Sequence, residues 1–117
     1  EIFIPKCPSY RITDVAIAIA PNLLQNEVGV RPSEKLHEQM ITKDDAINTI
    51  DLGNSYAILP AIAFTDNRNK ETYLAHYNAE LVSEDFVYGS DTNTEWETVE
   101  SLRDKMRIYV SSSFKVK

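Results

Sequence analysis

Apolar and polar positions follow one another in short blocks along this 117-residue chain, and the period changes from block to block. Glu1-Ile2-Phe3-Ile4 has the apolar run of a short strand, closed by Pro5 and Pro8. Ser9 is a residue of the N-cap type. Beyond it Ile12, Val15, Ala16 and Ile19 recur at i, i+3, i+4 and i+7, which predicts a helix through Ala20 with a narrow core-facing stripe. Pro21 ends that helix, since proline disfavours a helical residue before it. A second strand is expected around Glu27 to Val30, making a β-α-β unit that ends at Arg31. Lys35 to Ile41 reads as a short helix or irregular turn, followed by the acidic pair Asp44-Asp45. Tyr56 to Leu59 is the next strand, with Thr49 to Leu52 as its partner across Gly53-Asn54. Thr65 to Glu71 is polar and reads as a surface loop. Thr94 and Glu97 have capping-box spacing and predict a helix to about Arg107 that turns Val99, Leu102 and Met106 inward. Residues 110–117 form a polar tail expected to fray or be disordered. Strands alternating with helices predict an α/β fold.

The composition narrows the function classes. A net charge of -6, with no Lys/Arg block, argues against a nucleic-acid or anionic-membrane binder. The longest apolar run, Val15 to Ala20, is far too short to span a bilayer. No signal peptide is visible at the start, and Cys7 is the single cysteine, so a cytoplasmic location is expected. The three glycines stand far apart, at 29, 53 and 89, which excludes a Gly-rich phosphate loop of the dinucleotide or P-loop kind. The opening directly on a strand-like segment reads as part of something longer.

Few residues carry chemistry. His37-Glu38 begins like a metalloprotease motif, but Ile41 stands where the second histidine belongs. His76 lies far away in what reads as a loop, and one cysteine offers no zinc pair. No glycine-flanked serine suits a hydrolase turn, and Cys7 beside Lys6 reads as structural. The adjacent carboxylates Asp44-Asp45 and Glu84-Asp85 suit a solvated face as well as an acid/base pair.

The segment Arg31-Pro32-Ser33-Glu34-Lys35-Leu36-His37-Glu38 is different. It reads as a guanidinium at a strand tip, followed by a proline suited to the first position of a helix. An arginine beside a helix start is a way to hold phosphate. An ionised carboxylate such as Glu34 is acceptor-only and suits two vicinal hydroxyls. The alternative is an ordinary surface salt bridge between Arg31 and Glu34.

Several landmarks, in order over nearly the whole chain, resemble one enzyme family. Glu1-Ile2-Phe3-Ile4-Pro5-Lys6-Cys7-Pro8-Ser9, Thr13 to Pro21, and Arg31 to Glu38 resemble segments of the inverting UDP-N-acetylglucosamine 4,6-dehydratases, the last their "RPGEKLHE". Phe86-Val87-Tyr88-Gly89-Ser90-Asp91-Thr92-Asn93, with Trp96 and Leu102-Arg103, resembles their "F-x-Y-x-S-x-x-N" end. The resemblance implies that residues 1–117 are a single substrate-binding lobe. That lobe is the small C-terminal part of an extended short-chain dehydrogenase/reductase, with short strands, two or three helices and its Rossmann domain absent from this chain. It implies a parent enzyme using NADP, held by the missing N-terminal domain, to oxidise C4 of the sugar, eliminate water across C5 and C6 and invert C5. The implied partners are UDP-N-acetylglucosamine, the enzyme's own Rossmann domain and further copies in a hexamer. The implied pathway makes bacterial capsule, O-antigen or pseudaminic acid sugars.

By the same resemblance Arg31 matches the arginine that grips the UDP diphosphate, and Glu34 the carboxylate that binds the ribose. Ser33 departs from the family's glycine and implies either a narrower approach for the phosphates or a different backbone angle. None of the six tyrosines is followed by lysine at the fourth position, so the catalytic Tyr-x-x-x-Lys pair is not in this sequence. Two further readings stay open: a non-catalytic assembly or protein-interaction module derived from that lobe, and an unrelated acidic α/β domain.

Overall fold

The computed structural model describes residues 1–61 and 69–117. They divide into two compact units, Glu1–Cys7 with His37–Thr92, and Pro8–Leu36 with Asn93–Lys117. The expected loop at Thr65 to Glu71 falls largely on residues 62–68, outside the described residues. Its last residues behave differently from a loop, because Asn69 caps a helix that begins at Lys70.

The first unit is built on an antiparallel sheet in the order β1 (Ile2–Pro5), β4 (Ser55–Ile58), β3 (Thr49–Asp51), β5 (Glu80–Leu81). The expected hairpin is present: β3 pairs with β4, Ile50 facing Ala57 and Asp51 facing Tyr56. Gly53, at φ +88°, leads the two-residue loop Gly53-Asn54, the position where a hairpin turn needs a residue free of Cβ. Asp51 Oδ1 accepts from the Gly53 N–H at 2.7 Å and secures the corner.

Alternation along β4 sends its side chains to opposite faces. Ala57, with Ile50 and Leu59, packs under helix α3 (Lys70–Tyr77) through Tyr73, Leu74 and Tyr77. Tyr56 and Ile58 turn to the other face, against Ile4, Ile41, Phe86 and Tyr88. Ile41 ends β2 (Gln39–Ile41), which pairs with β6 (Tyr88–Gly89). The one-turn helix α2 (Lys43–Ala46) lies between β2 and β3 and carries the Asp44-Asp45 pair, with Asp45 closing a capping box on Thr42. His76 sits in α3, not in a loop, its ring edge-on to Tyr77.

The second unit packs α1 (Ile12–Ile19) against α4 (Val99–Lys105). The expected start of α1 at Ser9 is corrected: Arg11 occupies the N-cap position. Ser9 is instead buried in a backbone bridge, donating its N–H to Glu95 O and accepting at its carbonyl from the Glu97 N–H. The expected stripe is corrected at its ends, since Val15 and Ala16 are half-buried. Ala18 and Ala20 are the buried positions, whereas Ile12 is 76 % and Ile19 38 % exposed. Arg103 explains this phase. Its Nε and Nη2 donate to the carbonyls of Ala18 and Ile17, which brings α4 over the small residues at the end of α1. Leu102 is buried and Val99 and Met106 are half-buried, as expected, but the capping box of α4 is Thr98 with Ser101, four residues beyond Thr94 and Glu97. A π-helical turn, Met106–Val110, follows α4, and in the tail the Lys117 N–H donates to Ile19 O at 2.9 Å.

No strand forms at Glu27 to Val30, so the β-α-β unit does not exist. Gly29 has φ +81° there, and every residue from Pro21 to Met40 is exposed. The result is a small mixed α/β structure with three helices of seven or eight residues, the one-turn α2, and antiparallel sheets among the described residues.

Candidate functional site

Arg31 and Glu34 are brought together, but by a tight turn and not by a strand tip and helix start. No helix follows Pro32. The Glu34 N–H donates to Arg31 O at 3.0 Å, closing a four-residue turn. Pro32 at the first central position and Ser33 at φ +73° in the second give the pattern of a type II turn. That is the place where φ is positive and glycine is favoured, which is the different backbone angle that the sequence left open for Ser33. Ser33 adopts the conformation its side chain resists.

The side chains then lock the turn a second time. Glu34 Oε2 accepts from the Arg31 backbone N–H at 2.9 Å, and Glu34 Oε1 lies 3.0 Å from Arg31 Nε. Both carboxylate oxygens are therefore engaged by one residue. Arg31 is 85 % exposed, and its Nη1 and Nη2 meet no partner among the described residues. A guanidinium whose Nε lies against a carboxylate leaves its Nη1/Nη2 edge open, and the two N–H bonds of that edge are the geometry that takes two oxygens of a phosphate.

The other sequence landmarks meet one another within their units. The Tyr88 hydroxyl donates to Cys7 O at 2.9 Å and accepts from the Cys7 N–H at 2.7 Å, so one phenol satisfies both backbone groups of the residue after Lys6. Burial, first of all, raises the Tyr88 phenol above its ordinary pKa, and it serves as a neutral hydrogen-bonding group. Ser90 Oγ accepts from the Glu38 N–H and pairs with His37 Nδ1, each at 3.2 Å, while the Ser90 N–H donates to Glu38 O. A Cβ on Gly89 would stand 3.0 Å from Glu38 O, tighter than an ordinary contact, so glycine eases this approach. In the second unit Asn93 Nδ2 donates to Ser9 Oγ at 3.1 Å. Trp96 Nε1 donates to Asn93 O, and the Arg11 guanidinium lies over the Trp96 ring at 5.3 Å.

Lys6 is accounted for structurally. Its Nζ donates to both Asp51 oxygens, at 2.8 and 2.9 Å, and stands 4.5 Å over the Tyr56 ring. The contacts of Tyr88, Ser90 and Asn93 escape sequence reasoning because their partners lie more than 50 residues away. The one signal was that all of them fall inside matching landmarks. Among the described residues no group of three or more His, Cys, Asp or Glu could hold a metal ion.

A family profile described as polysaccharide biosynthesis protein matches residues 1–60, and the chain belongs to that family. Over 103 residues it is 46 % identical to the UDP-N-acetylglucosamine 4,6-dehydratase (inverting) of Campylobacter jejuni subsp. jejuni serotype O:2, covering 87 % of this chain and 31 % of that protein. Over 105 residues it is 43 % identical to the protein of the same name from serotype O:23/36, covering 89 % and 31 %. The chain thus spans about a third of the length of these relatives. The X-ray structure of Pen from Bacillus thuringiensis shares the fold, with a TM-score of 0.65 at 21 % identity, over 89 % of this chain and 30 % of that one.

Proposed function

We propose that residues 1–117 are the UDP-sugar-binding lobe of an inverting UDP-N-acetylglucosamine 4,6-dehydratase, with Arg31 and Glu34 as its substrate-binding residues. The observation that carries the reading is the Arg31–Glu34 turn, an exposed guanidinium fixed by its inner edge, in a chain 46 % identical to a protein of that name. On this reading Arg31 Nη1 and Nη2 bind the diphosphate. The ribose hydroxyls fall to the Glu34 carboxylate, which is acceptor-only and has lone pairs to spare.

The chain holds and orients the nucleotide, and the bond-making steps belong to the rest of the enzyme. NADP would supply hydride transfer to and from the sugar. The described residues do not fit that cofactor: Gly53 leads a hairpin turn, Gly89 makes a close contact, Gly29 stands in irregular backbone, and none opens a helix after a strand. We therefore assign NADP to a nucleotide-binding lobe outside these residues and derive no step through it. The whole enzyme is proposed to be a cytoplasmic homo-oligomer, a hexamer, supplying capsule, O-antigen or pseudaminic acid sugars. No helix among the described residues is long and apolar enough to cross a membrane.

Steady-state kinetics of the full-length enzyme test the reading. Arg31→Ala should raise KM for the sugar nucleotide roughly tenfold or more, with a smaller change in kcat, the loss expected when a charge-assisted contact of about 1.5–3 kcal/mol is removed. An unchanged KM would remove Arg31 from the site.

A further inference from the structure

Glu34 meets Arg31 in three ways: through two hydrogen bonds, its N–H to Arg31 O and its Oε2 from the Arg31 N–H, and through an ion-pair contact of its Oε1 with Arg31 Nε at 3.0 Å. An exposed arginine side chain has four rotatable bonds, and nothing else among the described residues holds this one. Free in solvent, its guanidinium would present any edge to a ligand. With its Nε drawn against a carboxylate that is itself fixed to the backbone N–H of the same residue, it is biased to present the Nη1/Nη2 edge outward. Oε2 accepts one hydrogen bond from Arg31, and the carboxylate keeps further acceptor sites, since in its ionised form it offers about four.

We propose that Glu34 is a positioning residue for the diphosphate contact: it orients the Arg31 guanidinium, and does so whether or not the ligand carries a ribose diol. The inference rests on the nucleotide-binding reading of this turn and deepens it. Under the reading in which Glu34 serves the ribose alone, its removal costs nothing once the hydroxyls are gone. Under this one, Glu34 matters to a diphosphate that has no hydroxyls for it to bind. Arg31 and Glu34 then act as one unit, so the effects of their loss do not add.

The test compares UDP with 2′,3′-dideoxyuridine 5′-diphosphate, by titration calorimetry on the full-length protein, for the unsubstituted enzyme, Glu34→Gln, Arg31→Ala and the double variant. Glu34→Gln should weaken the dideoxy ligand by roughly threefold, the scale set by an exposed ion pair. Arg31→Ala should weaken it more, and adding Glu34→Gln to Arg31→Ala should cost nothing further. A second measurement does not depend on affinity. The Arg31 Nε–H resonance should shift in Glu34→Gln, and in the unsubstituted protein it should keep its position when either ligand is added. Dideoxy binding equal in Glu34→Gln and the unsubstituted protein, with UDP binding weakened, would overturn the proposal and leave Glu34 on the ribose alone. An Nε–H resonance that moves to the Glu34→Gln position on addition of UDP would do the same. If Arg31→Ala binds both diphosphates undiminished, or the unsubstituted enzyme binds neither, the nucleotide-binding reading itself falls and this inference with it.

Discussion

Two ion pairs divide the work of this chain, and they differ in what each leaves unpaired. Lys6 and Asp51 are 45 residues apart and join β1 to the β3–β4 hairpin, with side chains 30 % and 37 % exposed. The ammonium is used from both sides, by two carboxylate oxygens and by the face of Tyr56. Asp51 also holds the Gly53 N–H. Little of either group remains for a ligand. Arg31 and Glu34 are three residues apart, 85 % and 48 % exposed, and join nothing but their own turn. There the inner edge of the guanidinium is bound and the outer edge is open. The same chemistry thus secures a fold in one place and presents a charge in the other. Long-range contact and a saturated donor set mark the first, and local contact with an unsaturated one marks the second.

The sharpest way to break the comparison is to remove the sheet on which the first pair rests. Ile50 is fully buried beneath α3, between Ala57 and Leu59. Ile50→Ala should cost about 2–5 kcal/mol of stability, the range for deleting a buried aliphatic side chain that leaves a cavity. Thermal unfolding followed by circular dichroism measures it. A loss near zero would mean the sheet is not the core of its unit.

That sheet was legible in the sequence because its information is local. Gly53-Asn54 between two apolar runs specifies a hairpin whatever else the chain does. Leu102 and its neighbours in α4 were readable for a similar reason, a helical period with a clear start. The failures share the opposite property. Val28-Gly29-Val30 has strand-like residues, but a strand exists only with a partner, and Gly29 at φ +81° turns the chain away from extended backbone. The buried face of α1 was set by Arg103, more than 80 residues distant, binding the carbonyls of Ile17 and Ala18. A period alone cannot report that partner. For the candidate site, the pairing of Arg31 with Glu34 was legible from spacing, whereas the turn that makes it was mistaken for a helix start. Pro32 suits the first helical position and the first central position of a turn equally well. Only the positive φ of Ser33 separates them, and a serine does not announce it.

The structural pair should also carry a pH signature. For Asp51, desolvation is the largest influence and raises its pKa. Hydrogen bonds from Lys6 and from the Gly53 N–H together outweigh it and leave the carboxyl below its ordinary value. Lys6 is raised, chiefly by its hydrogen bond to Asp51. A carboxyl lowered in the folded state adds stability above its unfolded pKa of about 3.9, and that stability is lost as pH falls through the folded value. The raised lysine adds stability below its own unfolded pKa, lost as pH rises past the folded one. The pair is therefore fully effective at neutral pH and fails at both extremes. Asp51→Asn should cost about 1 kcal/mol or less at pH 7, given its partial exposure, and should flatten the fall in stability below about pH 4. Part of that fall will remain, because Asp45 and Glu97 are lowered too, by Thr42 and by Lys105 with Ser101 respectively. Urea unfolding at a series of pH values reads both effects. An acid slope identical in Asp51→Asn and the unsubstituted protein would show that the Lys6–Asp51 pair has no part in it.

The smallest effect separates the two turns that carry the pairs. The hairpin turn has glycine at its positive-φ position, Gly53, and the Arg31–Glu34 turn has Ser33 at φ +73° in the corresponding strained state. A side chain in left-handed backbone costs about 1–2 kcal/mol, and the freedom glycine loses on folding returns roughly 0.5–1 of that. The two turns should therefore respond with opposite sign. Gly53→Ala should destabilise, although open space around its Cβ position means that backbone strain is the whole cause. Ser33→Gly should stabilise by a net of about 0.5 kcal/mol, seen as a small rise in the unfolding midpoint. The turn geometry that sets Arg31 against Glu34 would be kept, since glycine adopts it without cost in sterics. A midpoint lowered by Ser33→Gly would mean that the serine side chain makes a contact worth more than the strain it carries, and Ser33→Ala would then tell hydroxyl from Cβ.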